Sequence, residues 1–498
     1  MKLKELLRDV PVRATHGNLG IEISAVTSDS RLAVRGSLFV AIRGTREDGA
    51  KYINSAIEKG AVAVISGAAA SQAADGLRAR HSTLLEVDDP RSALALIAAN
   101  FYGHPADKLS LVGVTGTSGK TTTTKMIESI FDASNEPVGL IGTIEYRAGD
   151  EQLVADRTTP DAVVLQQWFA KMVEAGVKHA VMEVSSHALA LKRTYGVRFA
   201  AAVFTNLSHE HLDFHKDFED YFAAKRTLFF QIESPNRAVI NADDQYGQRL
   251  IKELGPKPMT FGMQTADIRP AKDFEISTRG LHGTLQTPAG AIRVDSTLLG
   301  RPNLYNWMGA IGAAIVVGMP PKQIETGIRN LQSVRGRFEY VHGAPPSVIV
   351  DYAHKPDALE KLLHAVRDLA GKRRLVVLFG CGGDRDKEKR PKMGAIATQL
   401  ADFTILTSDN PRSEKPEAIL DDIERGIRGG NKYVRITDRR EAIARAIDDA
   451  RDDDVIVIAG KGHESYQVIG DQIVHFDDRE EAELALKKRH EKLAPKIM

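Results

Sequence analysis

The sequence predicts an α/β protein of about three domains, on the evidence of its length, its apolar runs and its helical segments. The chain has 498 residues, which corresponds to about three domains of ordinary size. Short and uniformly apolar runs, such as 109–116, 374–383 and 454–462, are typical of parallel strands covered on both faces. Helix-length segments such as 120–134 and 356–371 alternate with these runs, as they do in α/β units.

Two stretches predict where the domains meet, one near residue 106 and one near residue 338. We therefore expect domains over 1–106, 107–338 and 339–498. Polar, loop-like residues follow several of the predicted strands directly. The carboxyl ends of parallel strands are where open α/β sheets bind ligands, so these loops are the candidate functional segments.

The composition limits the kinds of partner. Lys and Arg total 67 against 66 for Asp and Glu, so no overall charge directs the chain to nucleic acid, and an anionic ligand must be bound by local design. The single cysteine, Cys381, excludes an intramolecular disulfide and fits a reducing compartment. No stretch reaches the roughly 18 apolar residues of a membrane span, and the N-terminus has no apolar signal core. We expect a cytoplasmic monomer.

The strongest motif is VGVTGTSGKTTTTK at 112–125, which reads as strand, glycine-rich loop and helix. Glycines let backbone N–H groups close around phosphates, and the helix N-terminus favours an anion there. The match to the P-loop pattern is imperfect, because Val114 stands where the first glycine is expected. A plain strand-to-helix turn is the alternative. The candidate nucleotide-binding residues are Gly116, Thr117, Ser118, Gly119, Lys120, Thr121 and Thr122.

Three further segments carry candidate chemistry. Glu183 ends a predicted strand in MEVSSHAL, where a carboxylate can reach a metal ion. The segment FTNLSHEHLDFH at 204–215 contains three histidines, His209, His211 and His215, whose spacing could indicate zinc, although phosphate chemistry suits an oxygen-preferring cation better. Lys225 lies in the apolar, helix-prone YFAAKRTLF, where a lysine extending to the surface is the alternative.

The order of the separated motifs resembles that of the Mur ligases, the ATP-dependent enzymes that add amino acids to peptidoglycan precursors. The resemblance covers nearly the whole chain. It implies a UDP-substrate-binding domain, a P-loop NTPase-like central ATPase domain and a Rossmann-like C-terminal domain that binds the amino acid. The motifs are TGTSGKTTT, MEVSSH, TNLSHEHLDFH, YFAAKRTLF, NADD, PNLYN, GRFE, DYAHKPDAL and GKGHE.

The resemblance also implies how the reaction is catalysed. ATP phosphorylates a carboxylate to an acyl phosphate, which an incoming amine attacks, so Mg²⁺ and cationic side chains must neutralise the phosphates. In the family, Lys225 is carbamylated by CO₂ to N6-carboxylysine, which turns an ammonium into an oxygen ligand. The implied catalytic residues are Lys120, Glu183, His211 and Lys225, and the implied metal ligands are Thr121, Glu183, His211 and Lys225 as its carbamate.

For the two nucleotides, the resemblance implies further contacts. On the adenine and ribose side of ATP these are Asn303, Arg337 and Asp351, with Pro302 and Lys355 as departures from the usual pattern. The UDP-sugar-peptide residues are Ser28, Ser30, Thr45, Arg46, Glu47, Thr158, Thr159, Ser185 and Arg193. Leu191 stands where some relatives have a polar residue and receives no role. Hydroxyl groups and an arginine suit a diphosphate and a carboxylate.

The C-terminal part holds the amino-acid determinants. The run TSDNPRSEKPEA at 407–418 leaves a predicted strand with an arginine that a surface turn does not require. In the family, DNPR accompanies meso-2,6-diaminopimelate, whose extra carboxylate a guanidinium binds through two hydrogen bonds. The implied amino-acid residues are Arg390, Asp409, Asn410, Pro411, Arg412, Gly460 and Glu464.

The resemblance implies one activity and leaves three alternatives. We expect meso-diaminopimelate to be joined to the D-Glu γ-carboxylate of UDP-N-acetylmuramoyl-L-alanyl-D-glutamate, with ADP and phosphate as products. The same ligation with L-lysine is the first alternative. A folylpolyglutamate synthetase is the second, although it lacks the kind of N-terminal domain that DSRLAVRGSLFVA indicates. The third is a non-catalytic nucleotide-binding regulator, against which the intact catalytic residues argue.

Overall fold

The computed structural model describes residues 1–44, 47–67, 82–208, 214–343, 345–428 and 432–493. The chain forms two compact units. One unit comprises Met1–Phe261 with Gly309–Gln323, and the other comprises Gly262–Met308 with Ile324–Met498. No helix among the described residues combines the length and the apolar character that a membrane crossing requires.

The first unit begins with a five-stranded sheet in the order β1-β5-β4-β3-β2. β1 pairs antiparallel with β5, and the other neighbours are parallel. Leu38, Val64 and Leu85 of this sheet are fully or almost fully buried. The strands are β1 Val12–His16, β2 Ala25–Thr27, β3 Ser37–Val40, β4 Ala61–Ser66 and β5 Thr83–Val87, and the helices are α1 Leu3–Leu6, α2 Ile53–Glu58 and α3 Pro90–Tyr102.

The second sheet of this unit has eight strands in the order β13-β12-β11-β6-β10-β7-β8-β9. Strands β13 to β7 are parallel, and β8 and β9 extend the sheet antiparallel. Its strands are β6 Ser110–Thr115, β7 Val138–Ile141, β8 Glu145–Ala148, β9 Glu151–Val154, β10 His179–Glu183, β11 Ala201–Phe204, β12 Ala238–Asn241 and β13 Met259–Phe261. Its helices are α4 Lys120–Asp132, α5 Ala162–Glu174, α6 Ser186–Ala190, α7 Phe218–Arg226 and α8 Gln245–Leu254.

The central strands of the eight-stranded sheet explain why the apolar runs of the sequence lack alternation. Leu111, Val112 and Val114 of β6 are all fully buried, as are Ala180 and Val181 of β10. Both faces of these strands are therefore covered, which is what parallel strands in an α/β layer require. Their carboxyl ends, at Thr115, Glu183 and Phe204, lead into the loops that carry the candidate motifs.

The second unit contains an antiparallel sheet and a mainly parallel one. The antiparallel sheet consists of β14 Arg269–Pro270, β15 Glu275–Ser277, β16 Gly280–Thr287 and β17 Gly290–Ser296. The larger sheet has the order β18-β19-β23-β20-β21-β22, with β18 antiparallel to β19 and the others parallel. Its strands are β18 Glu339–Val341, β19 Ser347–Asp351, β20 Leu375–Phe379, β21 Phe403–Leu406, β22 Tyr433–Arg435 and β23 Val455–Ala459.

A short hairpin and the helices complete the second unit. The hairpin consists of β24 Tyr466–Ile469 and β25 Gln472–His475, paired antiparallel. Helix α9 Gly300–Val316 and helix α10 Pro321–Asn330 each contribute residues to both units. The remaining helices are α11 Pro356–Ala370, α12 Lys389–Leu400, α13 Pro416–Glu424, α14 Arg439–Asp448 and α15 Asp478–Leu493. Strands β20 and β23 are buried throughout, as their uniformly apolar sequences predict.

Candidate active site

The glycine-rich loop joins β6 to α4 in the first unit. Gly116 has a φ of 150° and Gly119 a φ of 87°, both in the range that favours glycine. A Cβ atom at Gly116 would lie 1.9 Å from Thr205 Oγ1, so no other residue fits there without rearrangement. The loop leads directly into α4, a helix of 13 residues, whose unpaired N–H groups favour an anion.

Two residues that directly follow the neighbouring strand β11, Thr205 and Asn206, support this loop. The backbone N–H of Thr117 donates to Asn206 O at 2.8 Å, and that of Ser118 donates to Asn206 Oδ1 at 3.0 Å. Thr205 Oγ1 in turn donates to Ser118 O at 2.7 Å. Sequence reasoning gave Thr205 and Asn206 no role, although their position directly after an apolar strand was a usable signal.

Lys120 and Lys225 converge on the same backbone carbonyl of the loop. Lys120 Nζ donates to Gly116 O and to Thr117 O, both at 2.9 Å. Lys225 Nζ donates to Gly116 O at 2.7 Å and lies 4.7 Å from the centroid of the Tyr221 ring. Lys120 therefore places a positive charge at the start of α4, as a polyphosphate would require, whereas Lys225 is a cation only in its unmodified form.

Lys225 differs from a surface lysine because its side chain is almost completely buried, with 1% of its surface exposed. It lies on α7, where Tyr221 shares its face of the helix, and the Tyr221 hydroxyl lies 3.1 Å from Thr117 Oγ1. The apolar, helix-prone segment is therefore a helix that buries Lys225, and the alternative of a lysine extending to the surface is wrong.

Glu183 ends β10 and is fully buried next to the first turn of α4. Thr121 Oγ1 donates to Glu183 Oε2 at 3.1 Å. Thr143 donates to the same carboxylate twice, from its N–H to Oε1 at 2.7 Å and from its hydroxyl to Oε2 at 3.1 Å. The sequence prediction did not include Thr143, which lies 40 residues from Glu183 along the chain.

The donor set at this point fits a hard divalent cation. The hydroxyl of Thr121 and the carboxylate of Glu183 are oxygen ligands of the kind that Mg²⁺ prefers, and they already lie within hydrogen-bond distance of each other. His211, the fourth predicted ligand, lies outside the described residues, as does His209. In the described part of the chain no cluster of three or more His, Cys, Asp or Glu side chains has metal-binding geometry.

Four of the predicted UDP-sugar-peptide residues form a connected group beside Glu183. The Thr158 hydroxyl lies 3.0 Å from the Thr143 hydroxyl, and Thr159 Oγ1 donates to Glu183 O at 2.8 Å. Ser185 donates its N–H to Thr159 Oγ1 at 3.1 Å, and Arg193 Nη1 donates to Thr159 O at 2.6 Å. Burial lowers the pKa of the Arg193 guanidinium.

The other predicted UDP residues that the structure describes, Ser28, Ser30 and Glu47, lie between strands of the first sheet. Ser28 is exposed and Ser30 is buried, and Asp29 between them accepts two side-chain hydrogen bonds from Arg31 Nε and Nη2, the latter at 2.6 Å. Glu47 accepts a hydrogen bond from the Tyr52 hydroxyl. Thr45 and Arg46 lie outside the described residues. Leu191 is the C-terminal cap of α6 and contributes only its backbone there.

The second unit presents the DNPR turn directly after β21. Arg412 has a φ of 54°, a strained value for a residue other than glycine. The hairpin β24–β25 holds this residue, because Arg412 N donates to Val468 O at 3.0 Å and Gly470 N donates to Arg412 O at 2.8 Å. Pro411 packs closely against Gly383, because a Cβ atom on Gly383 would lie 1.8 Å from Pro411 O. The turn is therefore fixed from two sides.

The hydrogen bonds of Arg412 leave part of its guanidinium available. Nη1 donates to Gly383 O at 2.9 Å and to Asn410 O at 3.5 Å. No group in the described ranges accepts a hydrogen bond from Nε or Nη2 of Arg412. Those two nitrogens form one edge of the guanidinium fork, which matches the geometry of a carboxylate.

Glu464 and Asp409 lie at the same turn. Glu464 Oε2 accepts from Asn410 Nδ2 at 2.8 Å and from Lys461 Nζ at 3.3 Å, whereas no described residue donates to its Oε1. Asp409 Oδ1 accepts from Asn410 N at 2.6 Å. Gly460, with a φ of 119°, leaves room for the Asp409 carboxylate, because a Cβ atom on Gly460 would lie 2.8 Å from Asp409 Oδ2.

Arg390, predicted as a second cation for the amino acid, is fully buried in ion pairs. Its guanidinium pairs with Glu414 at 2.8 Å and with Asp422 at 2.9 Å, and Nη2 donates weakly to Gly382 O at 3.3 Å. The hydrogen bond from Arg390 lowers the pKa of the Glu414 carboxyl to about 2. Its charge is balanced by these two carboxylates.

Arg385 was not among the predicted residues, yet it adjoins Arg412. The position of a Cβ atom on Gly382 lies 3.0 Å from Arg412 Nη1 and 3.6 Å from Arg385 Cγ, so both side chains flank this glycine. Burial and Glu464 raise the pKa of the Tyr466 hydroxyl, while Arg412 and Arg385 act in the opposite sense. The signal that could have identified Arg385 is its place in GCGGDRD, directly after β20.

The three predicted residues for the adenine and ribose side all belong to the second unit. Asn303 Nδ2 donates to Leu299 O at 2.8 Å. Asp351 accepts from Phe338 N at 2.7 Å and Ala353 N at 2.8 Å, and burial raises its pKa. The guanidinium carbon of Arg337 lies 4.9 Å from the Tyr352 ring centroid, as in a cation–π pair.

The neighbouring histidines are uncharged at neutral pH. Burial and Arg337 lower the pKa of His463 to about 4. Burial and Lys389 likewise lower the pKa of His354 to about 4. Both rings pack against Tyr352, with centroids 4.6 Å away for His354 and 4.7 Å for His463. The cluster therefore combines aromatic rings with the positive charges of Arg337 and of Lys389, whose Nζ donates to His354 O at 2.8 Å.

A glycine loop between a parallel strand and a helix, with a lysine and a threonine at the helix start, defines a P-loop nucleotide-binding protein. Family models support a narrower assignment. The Mur ligase middle domain matches residues 114–314, and the Mur ligase glutamate ligase domain matches 336–462. The Mur ligase family catalytic domain matches 22–102. The chain belongs to the Mur ligase family, which confirms the predicted family and α/β architecture.

Whole-length relatives agree with the family models. A UDP-N-acetylmuramoyl-L-alanyl-D-glutamate–2,6-diaminopimelate ligase of Gloeobacter violaceus is 46% identical over 98% of this chain and 99% of its own length. A relative of the same name from Clostridium acetobutylicum is 43% identical over 96% of this chain and 98% of its own. A solved structure of a ligase with that name has a TM-score of 0.70 and 32% identity, covering 98% of this chain and 99% of that one.

More distant structures share the fold alone. A MurF ligase of Thermotoga maritima in complex with ADP has a TM-score of 0.58 at 18% identity, covering 95% of this chain and 99% of that one. A Mycobacterium tuberculosis folylpolyglutamate synthase with ADP and AMPPCP has a TM-score of 0.59 at 19% identity. It covers 73% of this chain and 91% of that one, so a quarter of the present chain has no counterpart in it.

Proposed function

We propose that the chain is an ATP-dependent ligase joining meso-2,6-diaminopimelate to the D-Glu γ-carboxylate of UDP-N-acetylmuramoyl-L-alanyl-D-glutamate, with ADP and phosphate as products. The observation that carries the choice of amino acid concerns Arg412. Its Nε and Nη2 donate to none of the described residues and can therefore bind a carboxylate. The names of the relatives at 43–46% identity support the same substrates. Such a reaction uses nucleotides of the cytoplasm, which we propose as its location.

A carboxylate reacts with an amine only after its oxygen becomes a good leaving group. In the proposed reaction the γ-carboxylate attacks the γ-phosphorus of ATP, which forms an acyl phosphate and releases ADP. The amine then attacks the acyl carbon, and phosphate leaves with both electrons of the C–O bond. Lys120 and the N-terminus of α4 stabilise the charge that accumulates on the phosphoryl oxygens.

Thr121 and Glu183 would hold one Mg²⁺, and His211 with carbamylated Lys225 would hold a second. When bound, Mg²⁺ neutralises phosphate charge and aligns the phosphoryl group with the attacking oxygen. The burial of Lys225 supports the carbamate, because desolvation favours the neutral, nucleophilic amine that reacts with CO₂. The ammonium loses one proton to give the amine, whose nitrogen attacks the carbon of CO₂ and loses a second proton, so the residue changes from a cation to an anion.

The amino acid would be recognised at its distal end by complementary charges. We propose that Arg412 binds the extra carboxylate through Nε and Nη2, and that Glu464 Oε1 accepts from the distal ammonium. Arg385 is the better second cation, because the charge of Arg390 is balanced by Glu414 and Asp422. Arg390 would then support the loop at Gly382 without touching the ligand. Asp409, Pro411 and Gly460 shape the turn.

For the remaining ligand parts, we retain the sequence-based assignments as proposals. Asn303, Arg337 and Asp351 would serve the adenosine, and the Thr158–Arg193 group would serve the muramoyl-peptide. The described Ser28, Ser30 and Glu47 would serve the UDP. We retain domains over 1–106, 107–338 and 339–498 as a proposal. The gap between the matches that end at 102 and resume at 114 supports the first boundary, and the C-terminal match that begins at 336 supports a boundary close to the second.

Phosphate release with each substrate omitted in turn tests this function against its alternatives. We expect release only when ATP, UDP-N-acetylmuramoyl-L-alanyl-D-glutamate and diaminopimelate are all present, with the tripeptide product identified by mass. A regulator would give no substrate-dependent release. A folylpolyglutamate synthetase would accept a folate and glutamate instead, and either result would refute the proposal.

A further inference from the structure

Lys461 is a fully buried lysine that none of the steps above uses. Its side chain has 0% of its surface exposed, and it lies in GKGHE directly after β23. Nζ donates to Asn410 Oδ1 at 3.1 Å and to Glu464 Oε2 at 3.3 Å. It also lies 5.6 Å from the centroid of the Tyr466 ring. An ammonium removed from water in this way needs compensation, and here the compensation comes from residues of the proposed amino-acid site.

The hydrogen bonds of Lys461 determine how Asn410 is oriented. Asn410 Oδ1 accepts from both Lys461 Nζ and Val468 N, the latter at 3.0 Å. Because a lysine can only donate, the oxygen of the amide must face it, and the amide nitrogen must face Glu464. Glu464 Oε2 thus accepts two hydrogen bonds inside the protein, and Oε1 is the oxygen left to accept from a ligand.

Lys461 also determines the net charge of the turn. Arg385 is exposed, so solvent screens its charge. The charged groups that hydrogen-bond to Asn410 are the carboxylates of Asp409 and Glu464 and the cations of Lys461 and Arg412. These four charges sum to zero. The distal end of diaminopimelate carries one ammonium and one carboxylate and is also neutral, whereas the distal end of lysine carries an ammonium alone. In a site of low dielectric, a net charge discriminates strongly between such ligands.

We propose that Lys461 is a positioning residue that determines amino-acid selectivity: its buried charge balances Glu464 and so favours a zwitterionic distal group over a lone ammonium. This inference depends on the proposed function, because it concerns the amino acid of that reaction. It assigns selectivity to a residue that touches the ligand only through Asn410 and Glu464. Without Lys461 the turn carries one excess negative charge, which favours lysine.

The test compares kcat/KM for diaminopimelate and for L-lysine in Lys461→Gln and Lys461→Met. Glutamine keeps a hydrogen-bond donor without the charge, and methionine removes both. We expect the ratio of diaminopimelate to lysine to fall by about tenfold or more in both variants, while the KM for ATP stays within about twofold. Lys372→Met, which removes a positive charge from an exposed position, is the matched control and should keep the wild-type ratio.

The two failures are distinguishable. If the wild-type protein does not use diaminopimelate, the proposed function is wrong. If the wild-type protein does, and the Lys461 variants lose both activities equally, Lys461 is only structural and the inference is overturned. Should the variants not fold, the wild-type protein is assayed with 2-aminopimelate, which lacks the distal ammonium. A neutral site should reject 2-aminopimelate and lysine alike, and preference for lysine over 2-aminopimelate by more than about tenfold would overturn the inference.

Discussion

At the scale of single residues, Arg412 is the side chain to which we attribute the choice of amino acid. Its strained backbone and the two hydrogen bonds to the hairpin fix its position before any ligand binds. Such preorganisation lowers the entropy that a side chain loses on binding. A guanidinium held in this way can distinguish a diamino diacid from a diamino monoacid by one carboxylate.

Replacing Arg412 by alanine should raise the KM for diaminopimelate by about tenfold or more, since a charged hydrogen bond contributes roughly 1.5–3 kcal/mol. Steady-state kinetics with saturating ATP and nucleotide substrate measure this effect. Arg412→Lys is the matched variant, because lysine keeps the charge but lacks the forked geometry. Its KM for diaminopimelate should lie between those of the wild type and Arg412→Ala. An unchanged KM in Arg412→Ala would rule out the contact.

Lys225→Ala should be nearly inactive if a carbamate on Lys225 holds the metal. Short carboxylic acids such as formate or acetate should restore part of the activity, because they can supply oxygen ligands in the space that the side chain leaves. Rescue by a carboxylate but not by an amine of similar size is the decisive comparison. The reverse pattern would assign Lys225 a role as a cation.

At the scale of secondary-structure elements, the glycine-rich loop depends on its packing against β11. The Cβ atom of Gly116→Ala would clash with Thr205 Oγ1 and would also require a φ that alanine avoids. We expect ATP binding, measured by calorimetry, to weaken by about a hundredfold, whereas binding of the UDP substrate changes little. Gly103→Ala is the matched control, since Gly103 also has a positive φ but nothing lies within 4 Å of the added atom.

The Arg390–Glu414 pair links helix α12 to the segment before helix α13, and its contribution to stability should depend on pH. The folded-state pKa of Glu414 is about 2, below the ordinary value of 4.5. The pair therefore stabilises the fold fully above about pH 4.5 and loses this effect as the pH falls towards 2. Denaturation midpoints of wild type and Glu414→Gln should differ at pH 7 and converge as the pH falls from about 4.5 towards 2. A difference independent of pH would contradict the pairing.

The elements also explain which parts of the site the sequence predicts. Lys120, Thr121 and the glycines are contiguous, so a local pattern identifies them. Other residues of the site follow the ends of different strands: Thr143 follows β7, and Thr205 and Asn206 follow β11. They lie 40 to 88 residues along the chain from their hydrogen-bond partners, and only the folded sheet brings them together. Arg385 and Arg390 belong to the same basic run of the sequence. Only the structure shows that Arg390 is buried in ion pairs and that Arg385 lies beside Arg412.

At the scale of the whole molecule, the chain carries its phosphate-binding loop and its DNPR turn in different compact units. Each unit contains a mainly parallel sheet with candidate functional loops at its carboxyl ends. The alternation of apolar runs and helical segments made this architecture predictable. The selection of one amino acid is a finer property, because the proposal attributes it to the charge balance of Asp409, Glu464, Lys461 and Arg412, which only the folded turn brings together.

The most direct test of the central claim is the ratio of kcat/KM for meso-diaminopimelate to that for L-lysine in the wild-type protein. Phosphate release with saturating ATP and UDP-N-acetylmuramoyl-L-alanyl-D-glutamate provides the measurement. We predict a preference for meso-diaminopimelate of at least about tenfold, corresponding to one charged hydrogen bond of roughly 1.5–3 kcal/mol. Equal use of the two amino acids, or a preference for lysine, would contradict the account.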